Sequence, residues 1–584
     1  MRAFLLAAVF LSMAGAHPGF AQSNAERLHA LADELVEREF DLIPALETYY
    51  QGRGPRAGRA ITRLAPDSAE QFRALYRDVL QRVETIPPEG LGESDRITHE
   101  RLRLRAQTEL AKLEYPLRAM SLLTPTRGIH SWLLHISGTA QPLATEADFE
   151  AWLSRIEATS ANYDEAIVAL RQAAKEGWTT PRALVARSLS QMEAIALKPA
   201  DQGPLWGPMA RYPKAAGAER RAAFEKRYRE ALEGRHLPAL RRLLAFARDE
   251  YLPITRATAG IGAQPGGERA YRVLIRANTT LELSPDEVHA LGLAEAARVR
   301  AKLLEVARGL GFKGEMKEFA AWLAANPSNY PFNTAEEVLG YLRKVHQQVE
   351  PSLPQVFRRL PKARFEIGLT DPAIAASASA TYSRPSADGS RPGLFSMPVA
   401  DPKRIPAYTL TALLLHEGMP GHHLDIGRGI ELDQPRFRKA YSLTVYSEGW
   451  ALYAEGLGHE LGVYRDPWAL LGRYALELHR AARLVVDTGM HAKGWSREQA
   501  IRYLVEEHGE AEGAATVSIE RYMSDPGQAL AYKIGELEIL GLREEAKKAL
   551  GNRFDLREFH EVVLGAGQLP IALLRERVRA WIAR

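Results

Sequence analysis

The chain has 584 residues, a formal net charge of +4 and no cysteine. A charge this close to balance gives no support to a nucleic-acid partner. The lack of cysteine excludes disulfides, thiol catalysis and a lipid anchor attached through an N-terminal cysteine, and it suits an oxidising compartment.

The first 21 residues have the features of a secretory signal peptide. Arg2 provides a positive start, and the apolar run from Ala3 to Ala14 is too short to span a membrane. Cleavage is expected after Ala16 or Ala21, where small residues occur. The alternative, an N-terminal membrane anchor, is disfavoured by the shortness of the run. We therefore expect a periplasmic or secreted protein with no membrane contact after cleavage.

Residues 24–250 are predicted to be helical almost throughout, because apolar residues recur at three- and four-residue spacing, as in AERLHALADELVEREF. After a glycine-rich loop, a new helix should begin with Ser284 as its cap and Pro285 at its first position, and end at Gly309. Residues 363–400 are the best candidate for a sheet, since the runs FEIGL, ASASATYS and GLFSMPV surround a predicted turn at residues 387–390.

A histidine-rich stretch follows the predicted sheet. His416 and Glu417 end an apolar run, and His422 and His423 come after a Pro-Gly break. Zinc peptidases place two histidine ligands and a general base on one helix as HExxH. Here His422 is six residues after His416, which on an ideal helix places it about 240° around the axis. His423 is seven residues after His416, so it lies on the same face as His416 but about 10 Å further along the axis. The alternative is a buried His-Glu ion pair with a structural role.

The Pro420-Gly421 pair offers a way to restore the ligand geometry. Proline removes a backbone donor, and glycine tolerates unusual backbone angles. A bulge that loops out two residues would bring His422 to the position of an ordinary second ligand. His422 is therefore the predicted ligand. His423 is the alternative ligand, and otherwise points toward solvent or a supporting carboxylate.

The third ligand is predicted on the next helix, where Glu448 and Glu455 lie among apolar and aromatic residues and share one face. Carboxylates in such surroundings are costly unless they are paired or bind a metal. Glu448 is the predicted zinc ligand, with a salt bridge to a buried arginine as the alternative, and Glu455 is predicted to support the ligands. Two histidines and one glutamate leave a position for water, which Glu417 would activate as the base.

Asp487 and His491 are four residues apart near the end of a further predicted helix. They are predicted to orient a metal ligand or to meet substrate, and His491 is a candidate for substrate binding. An ion pair at a helix end is the alternative.

Four stretches together resemble the bacterial "domain of unknown function 885" family: HEGMPGHH, YSEGWALYAE, DTGMHAKGW and RYMSDPGQALAYKIG. That family is grouped with the helical zinc peptidases, whose relatives include angiotensin-converting enzyme, thimet oligopeptidase and the thermostable carboxypeptidases. The resemblance covers most of the chain after the first few dozen residues. Each motif is weak alone, but the set is specific.

The resemblance implies a mainly α-helical fold with a deep groove and a small β element next to the zinc helix. Such peptidases bind substrate as an added strand at a sheet edge, so Arg391, beside the predicted turn, is a candidate for holding a substrate carboxylate. The alternative is an ordinary surface hairpin. They also use a tyrosine downstream of the glutamate ligand to hydrogen-bond the oxyanion. Tyr522 and Tyr532 both suit this role by order along the chain.

The sequence therefore predicts one helical catalytic domain, residues 22–584, with two lobes around a groove. The predicted activity is zinc-dependent hydrolysis of short peptides, of oligopeptidase or carboxypeptidase type, with His416, His422 and Glu448 as ligands. One alternative is a zinc hydrolase of another amide or ester. A second is a non-catalytic periplasmic binding protein, which Glu417 disfavours because binding alone does not need a base. The sequence leaves the oligomeric state open.

Overall fold

The computed structural model describes residues 23–584 except 57, 60, 61, 66, 371–374, 376–378, 387, 388 and 390. The predicted signal peptide, residues 1–21, lies outside the described residues. The described chain is mainly α-helical with one small sheet, as the sequence predicts. Within the described ranges, no helix is both long and apolar enough to cross a membrane.

The N-terminal half is helical, which confirms the prediction made from the spacing of its apolar residues. Its core is built around large buried rings, among them Trp152, Tyr163 and Tyr228. The helices of this half are α1 (Asn24–Leu42), α2 (Pro44–Gln51), α3 (Ser68–Glu84), α4 (Glu93–Lys112), α5 (Leu117–Ser121), α6 (Trp132–Thr139), α7 (Glu146–Lys175), α8 (Arg182–Ala196), α9 (Gly217–Ala231), α10 (Leu237–Phe246) and α11 (Gly267–Thr279).

The middle of the chain contains the predicted capped helix, α12 (Pro285–Gly309). The Ser284 side chain accepts a hydrogen bond from the backbone N–H of Glu287, whose carboxylate in turn accepts from the Ser284 backbone. This reciprocal cap satisfies two helix-end donors and explains why the helix begins where the sequence indicates. Three further helices follow: α13 (Phe319–Ala324), α14 (Ala335–Val349) and α15 (Leu353–Val356).

The predicted β element is a three-stranded sheet of β1 (Phe365–Leu369), β2 (Thr381–Ser383) and β3 (Gly393–Met397), in the order β1-β3-β2. β3 pairs parallel to β1, with Phe365 opposite Gly393, and antiparallel to β2, with Thr381 opposite Ser396. The antiparallel pair agrees with the expected strand–turn–strand, although the predicted turn lies largely outside the described residues. β3 is buried in the centre, which leaves β2 at an edge.

The C-terminal half surrounds two buried helices. Its helices are α16 (Ala407–Glu417), α17 (His422–Glu431), α18 (Arg436–Ala440), α19 (Thr444–Gly456), α20 (Pro467–Lys493), α21 (Arg497–His508), α22 (Glu512–Ser524), α23 (Ala531–Leu550), α24 (Leu556–Leu564) and α25 (Ile571–Ile582). α16 and α19 are buried along most of their length, so they supply a rigid base for any side chain that they carry.

The backbones of α19 and α23 touch. A Cβ atom on Gly449 would lie 2.4 Å from the Cα of Gly535, and one on Gly535 would lie 2.0 Å from the carbonyl oxygen of Val445. Only residues without a side chain permit this distance. The contact sets the position of the α19 acid Glu448 relative to Tyr532 at the start of α23.

We expect Gly535→Ala to lower the free energy of unfolding by about 1–3 kcal/mol, because the added methyl group has no room. Gly541→Ala is the matched control on the same helix, since a Cβ there meets nothing within 4 Å. It should raise stability by about 0.5–1 kcal/mol, the usual helix gain over glycine. Chemical denaturation of both variants measures the difference. Equal effects would show that the two helices do not pack this closely.

Candidate metal centre

The predicted bulge after Glu417 is in fact a complete break between two helices. α16 ends at Glu417 and α17 begins at His422, and the Met419–Pro420 peptide bond between them is cis. A Cβ on Gly421 would lie 2.0 Å from the His416 carbonyl oxygen, so only glycine lets the chain pass this close to the end of α16. The Trp450 indole N–H of α19 donates to the Pro420 carbonyl at 2.9 Å and anchors the turn.

The break turns His422 toward His416, with the two ring centroids 4.9 Å apart. His423 points elsewhere: its Nε2 lies 3.1 Å from the Ala363 carbonyl and its Nδ1 lies 2.9 Å from the Tyr382 hydroxyl. Burial lowers the pKa of His423 to about 4, so the neutral ring donates to the carbonyl and accepts from the tyrosine. The supporting carboxylate expected beside His423 is replaced by these two groups, because the new helix starts in a different phase.

Three predicted ligands come together at one point. The Nε2 atoms of His416 and His422 each lie 3.4 Å from Oε2 of Glu448. One potential ligand atom from each residue falls within 4.8 Å of the others. Glu448 Oε2 is buried and has no geometrically acceptable hydrogen bond among the described residues. Two imidazoles and one carboxylate are the donor set of open zinc sites, and the cluster has the composition to hold such an ion.

The far sides of both histidines are held by the protein. His416 Nδ1 lies 2.9 Å from Oε1 of Glu455, as the sequence predicts for a supporting acid, and His422 Nδ1 lies 3.3 Å from Oγ of Ser447. Such contacts fix the ring orientation and the tautomer, so that Nε2 is left facing the shared point. Arg480 lies 3.6 Å from the same Glu455 oxygen and offsets its charge.

The electrostatics of this cluster favour a cation. Burial lowers the pKa of His416, but its contacts with the Glu448 and Glu455 carboxylates and the nearby charge of Glu417 outweigh burial and raise the pKa to about 10. Burial raises the pKa of Glu448, yet His416 and His422 hold it well below its usual value. The two histidines thus lie among three carboxylates, of which Arg480 offsets Glu455, and a cation bound between them would reduce the remaining negative charge.

Glu417 and the cluster open onto a cavity of about 1310 Å³ that is lined by both halves of the chain. Glu417 is the last residue of α16 and lines this cavity with no hydrogen bond or ion pair to any described residue. Its carboxylate is therefore available to a molecule in the cavity, next to the predicted ligands.

The two candidate tyrosines both line the cavity, but their hydroxyl groups differ. The Tyr522 hydroxyl accepts from Arg483 Nε at 2.9 Å and lies 3.0 Å from His479 Nε2. His479 Nδ1 lies 2.5 Å from a Glu510 oxygen, and burial lowers the pKa of His479. The neutral ring therefore donates to Glu510 and accepts from Tyr522, whose hydroxyl hydrogen is already used.

The hydroxyl hydrogen of Tyr532 has no acceptor among the described residues. Its oxygen accepts from Arg521 Nη2 at 3.2 Å and from Gln528 Nε2 at 3.4 Å, and both partners are donors. Its ring stacks on His416 with centroids 6.2 Å apart. Of the two candidates that the sequence leaves open, Tyr532 is the one with a hydrogen available beside the cluster.

Arg391 does not lie where the predicted contact with substrate would require. Its Nη1 and Nη2 atoms donate to the backbone carbonyls of Ala140 and Tyr49, each at 3.3 Å. The guanidinium therefore holds the N-terminal half against the sheet region, and Arg391 is absent from the described lining of the cavity.

Asp487 and His491 also lie away from the cavity lining, fully buried in the core. His491 accepts from the backbone N–H of Ile261 at 3.1 Å and donates to the carbonyl of Tyr522 at 3.1 Å. Asp487 accepts from the backbone N–H of Gly527 at 3.1 Å. Neither contacts substrate space or the predicted ligands, so that prediction is corrected. They hold the segment that carries Tyr522 and leads to α23.

Several residues of the site were missed from the sequence. Ser447 directly precedes the predicted acidic ligand in the sequence, and this position could have identified it as a residue of the site. Arg480 and Arg483 are charged residues in the apolar α20, the same signal that revealed the acids of α19. Arg521 is the first residue of the RYMSDPGQALAYKIG motif, and no role was predicted for it. Tyr382 had no local signal, because only sheet pairing brings β2 to the cavity.

A model of the family of bacterial proteins of unknown function, DUF885, matches residues 44–578. The structure is similar to the crystal structure of a candidate lipoprotein from Colwellia psychrerythraea, with a TM-score of 0.89 and 29% identity over 96% of this chain and 100% of that chain. A candidate lipoprotein of unknown function from Shewanella oneidensis shares the fold, with a TM-score of 0.70 and 18% identity over 95% of this chain and 99% of that one. Among curated proteins, none has significant sequence similarity to the chain. The family match spans most of the chain, which therefore belongs to the DUF885 family.

Proposed function

We propose that this protein is a zinc-dependent peptidase that hydrolyses short peptides. The observation that carries the proposal is the convergence of His416, His422 and Glu448, whose potential ligand atoms lie within 4.8 Å of one another. Beside them lies Glu417, which has no partner in the part of the chain that the structure describes. A binding protein would need no such base at this position.

The residues present fit a zinc ion. The buried Glu448 Oε2 lacks a well-formed hydrogen bond, and both histidine Nε2 atoms face it while their Nδ1 atoms are held from behind. Zinc prefers this mixture of imidazole and carboxylate, and it acts as a Lewis acid that lowers the pKa of water and polarises a carbonyl group.

The protein's own groups supply the proton transfers. Glu417 accepts a proton from the attacking water and returns it to the leaving amine as the peptide bond breaks. Tyr532 donates its free hydroxyl hydrogen to the oxygen that becomes negative during attack. Arg521 donates to the Tyr532 oxygen at 3.2 Å, and this makes the tyrosine a stronger donor.

The cavity supports a short extended substrate. Thr381 and Tyr382 of the edge strand β2 line it, so a peptide can add to the sheet through backbone hydrogen bonds. A cavity of about 1310 Å³ accommodates a few residues and excludes a folded protein. A panel of peptides and of non-peptide amides and esters, combined with metal analysis of the purified protein, tests the substrate class.

The proposed location is periplasmic or secreted. The first 21 residues carry the signal-peptide pattern, and the two similar structures are described as candidate lipoproteins. The present sequence contains no cysteine to which a lipid could be attached.

Glu417→Gln should keep the zinc ion and the fold, because glutamine is nearly isosteric, but it removes the proton acceptor. We expect turnover of a peptide substrate to fall by roughly a hundredfold or more. Zinc content of the same preparation is the control. Near-normal hydrolysis by a zinc-loaded variant would rule out this mechanism.

His422→Ala should lose most of the bound zinc, whereas His423→Ala should retain it. The physical reason is that only His422 faces Glu448, while both nitrogens of His423 are used by Ala363 and Tyr382. Metal content of the two adjacent variants decides the ligand. Loss confined to His423→Ala, or equal retention in both, would contradict the arrangement.

Tyr532→Phe should lower kcat by about a hundredfold, because it removes the donor to the oxyanion. Tyr522→Phe is the matched control, since its hydroxyl hydrogen is bound to His479, and it should change kcat much less. Steady-state kinetics on one peptide measures both. A larger loss in Tyr522→Phe would reverse the assignment.

A further inference from the structure

Two arginines meet at Tyr532, next to the candidate metal centre. The guanidinium carbon of Arg483 lies 4.3 Å from the centre of the Tyr532 ring, and Arg521 Nη2 lies 3.2 Å from its hydroxyl oxygen. The same ring stacks on His416 at 6.2 Å. Both arginines line the cavity, so their positive charges lie beside the space that a substrate would fill.

Neither arginine forms a salt bridge with an acid among the described residues. Arg483 binds the Tyr522 hydroxyl through Nε, and Arg521 binds Gln528 and Tyr532. Arg483 is only 6% exposed, and its Nη1 has no hydrogen-bond partner within the described chain.

Two other arginines near the site are neutralised. Arg480 lies 3.6 Å from Glu455, and Arg127, which lines the same cavity, pairs with Asp525 at 2.8 Å. Glu510, an acid in the cavity wall, is bound to His479 at 2.5 Å. A buried charge without a counterion is costly, and the cost is removed when an anion binds.

We propose that Arg483 and Arg521 form a subsite for a carboxylate of the substrate. Guanidinium groups match carboxylates in shape and form charge-assisted hydrogen bonds with them. The contacts through Tyr532 place this subsite within about three residues of the candidate metal centre, since an extended chain advances about 3.3 Å per residue.

The inference rests on the proposed function and names its substrate class, a peptide with a carboxylate close to the cleaved bond. That carboxylate is either the C-terminal group of the peptide or the side chain of an aspartate or glutamate. Both sources present the same chemistry to the two arginines, and three probes separate them.

The test measures binding of N-acetyl-Ala-Phe, N-acetyl-Ala-Phe-amide and N-acetyl-Ala-Glu-amide to the full-length Glu417→Gln protein by calorimetry. We expect at least one carboxylate probe to bind about tenfold or more tightly than the neutral amide. Tight binding of N-acetyl-Ala-Phe alone identifies the C-terminal carboxylate, and tight binding of the glutamate probe identifies a side-chain carboxylate.

Arg521→Gln or Arg483→Gln in the same background should abolish the difference in affinity between the carboxylate probes and N-acetyl-Ala-Phe-amide. Arg404→Gln is the control, because Arg404 is an exposed arginine of the same cavity and should leave the difference intact. Arg483→Lys, which keeps the charge, should retain part of the preference.

Equal affinity for all three probes, or a preference that survives both glutamine substitutions, would overturn the subsite. The comparison of the three probes on the Glu417→Gln protein needs no substitution of either arginine, so it holds even where an arginine variant fails to fold. Because these measurements need no hydrolysis, a lack of peptidase activity in the unmodified protein would overturn the proposed function and leave this result to stand by itself.

Discussion

The arrangement of the candidate site depends on one buried carboxylate, that of Glu448, which lies 3.4 Å from the Nε2 atoms of two histidines on different helices. A carboxylate in this environment must be paired or bound to a cation. To bring the second histidine to it, the chain has to end one helix and start another within four residues. The glycine at position 421 and the buried Trp450 make that break possible.

The helices that carry the site are joined underneath it by buried charges. Lys533 is fully buried, and its Nζ lies 2.6 Å from Glu536 and 2.7 Å from Glu477. Arg473 pairs with the same two acids. Such a network contributes less to stability than its distances suggest, because each ion loses its hydration. Its geometric effect is clear: it links α20 to the start of α23, where Tyr532 lies.

The arginines near the site form two groups, one that supports the site from behind and one that faces the cavity. Arg473 and Arg480 lie behind the candidate ligands and are paired with acids. Arg483 and Arg521 face the cavity, and their neighbours are tyrosines and an amide. Neutral partners leave the positive charge available to a ligand, whereas carboxylate partners would cancel it. The same residue type thus serves as structural support on one side of Tyr532 and as a potential recognition group on the other.

Local patterns in the sequence determined the helical class, the capped start of α12, the position of the β element and the three residues that converge at the candidate metal centre. These features depend on spacing, capping residues and charged residues in apolar segments, all of which are visible within a few turns of chain. The choice between His422 and His423 was also available from Pro420 and Gly421, although the full helix break was not.

Only the tertiary structure decided the rest, because it depends on contacts between segments far apart in the chain. Arg391 is a candidate for substrate binding by its position beside the predicted turn, but in the structure its guanidinium donates to the Ala140 and Tyr49 carbonyls. His491 lies in the core because its helix packs against the loop that contains Ile261. Tyr532 and Tyr522 are equivalent in sequence order, and they differ only through partners on other helices, since hydrogen-bond direction is set by the neighbours that folding supplies.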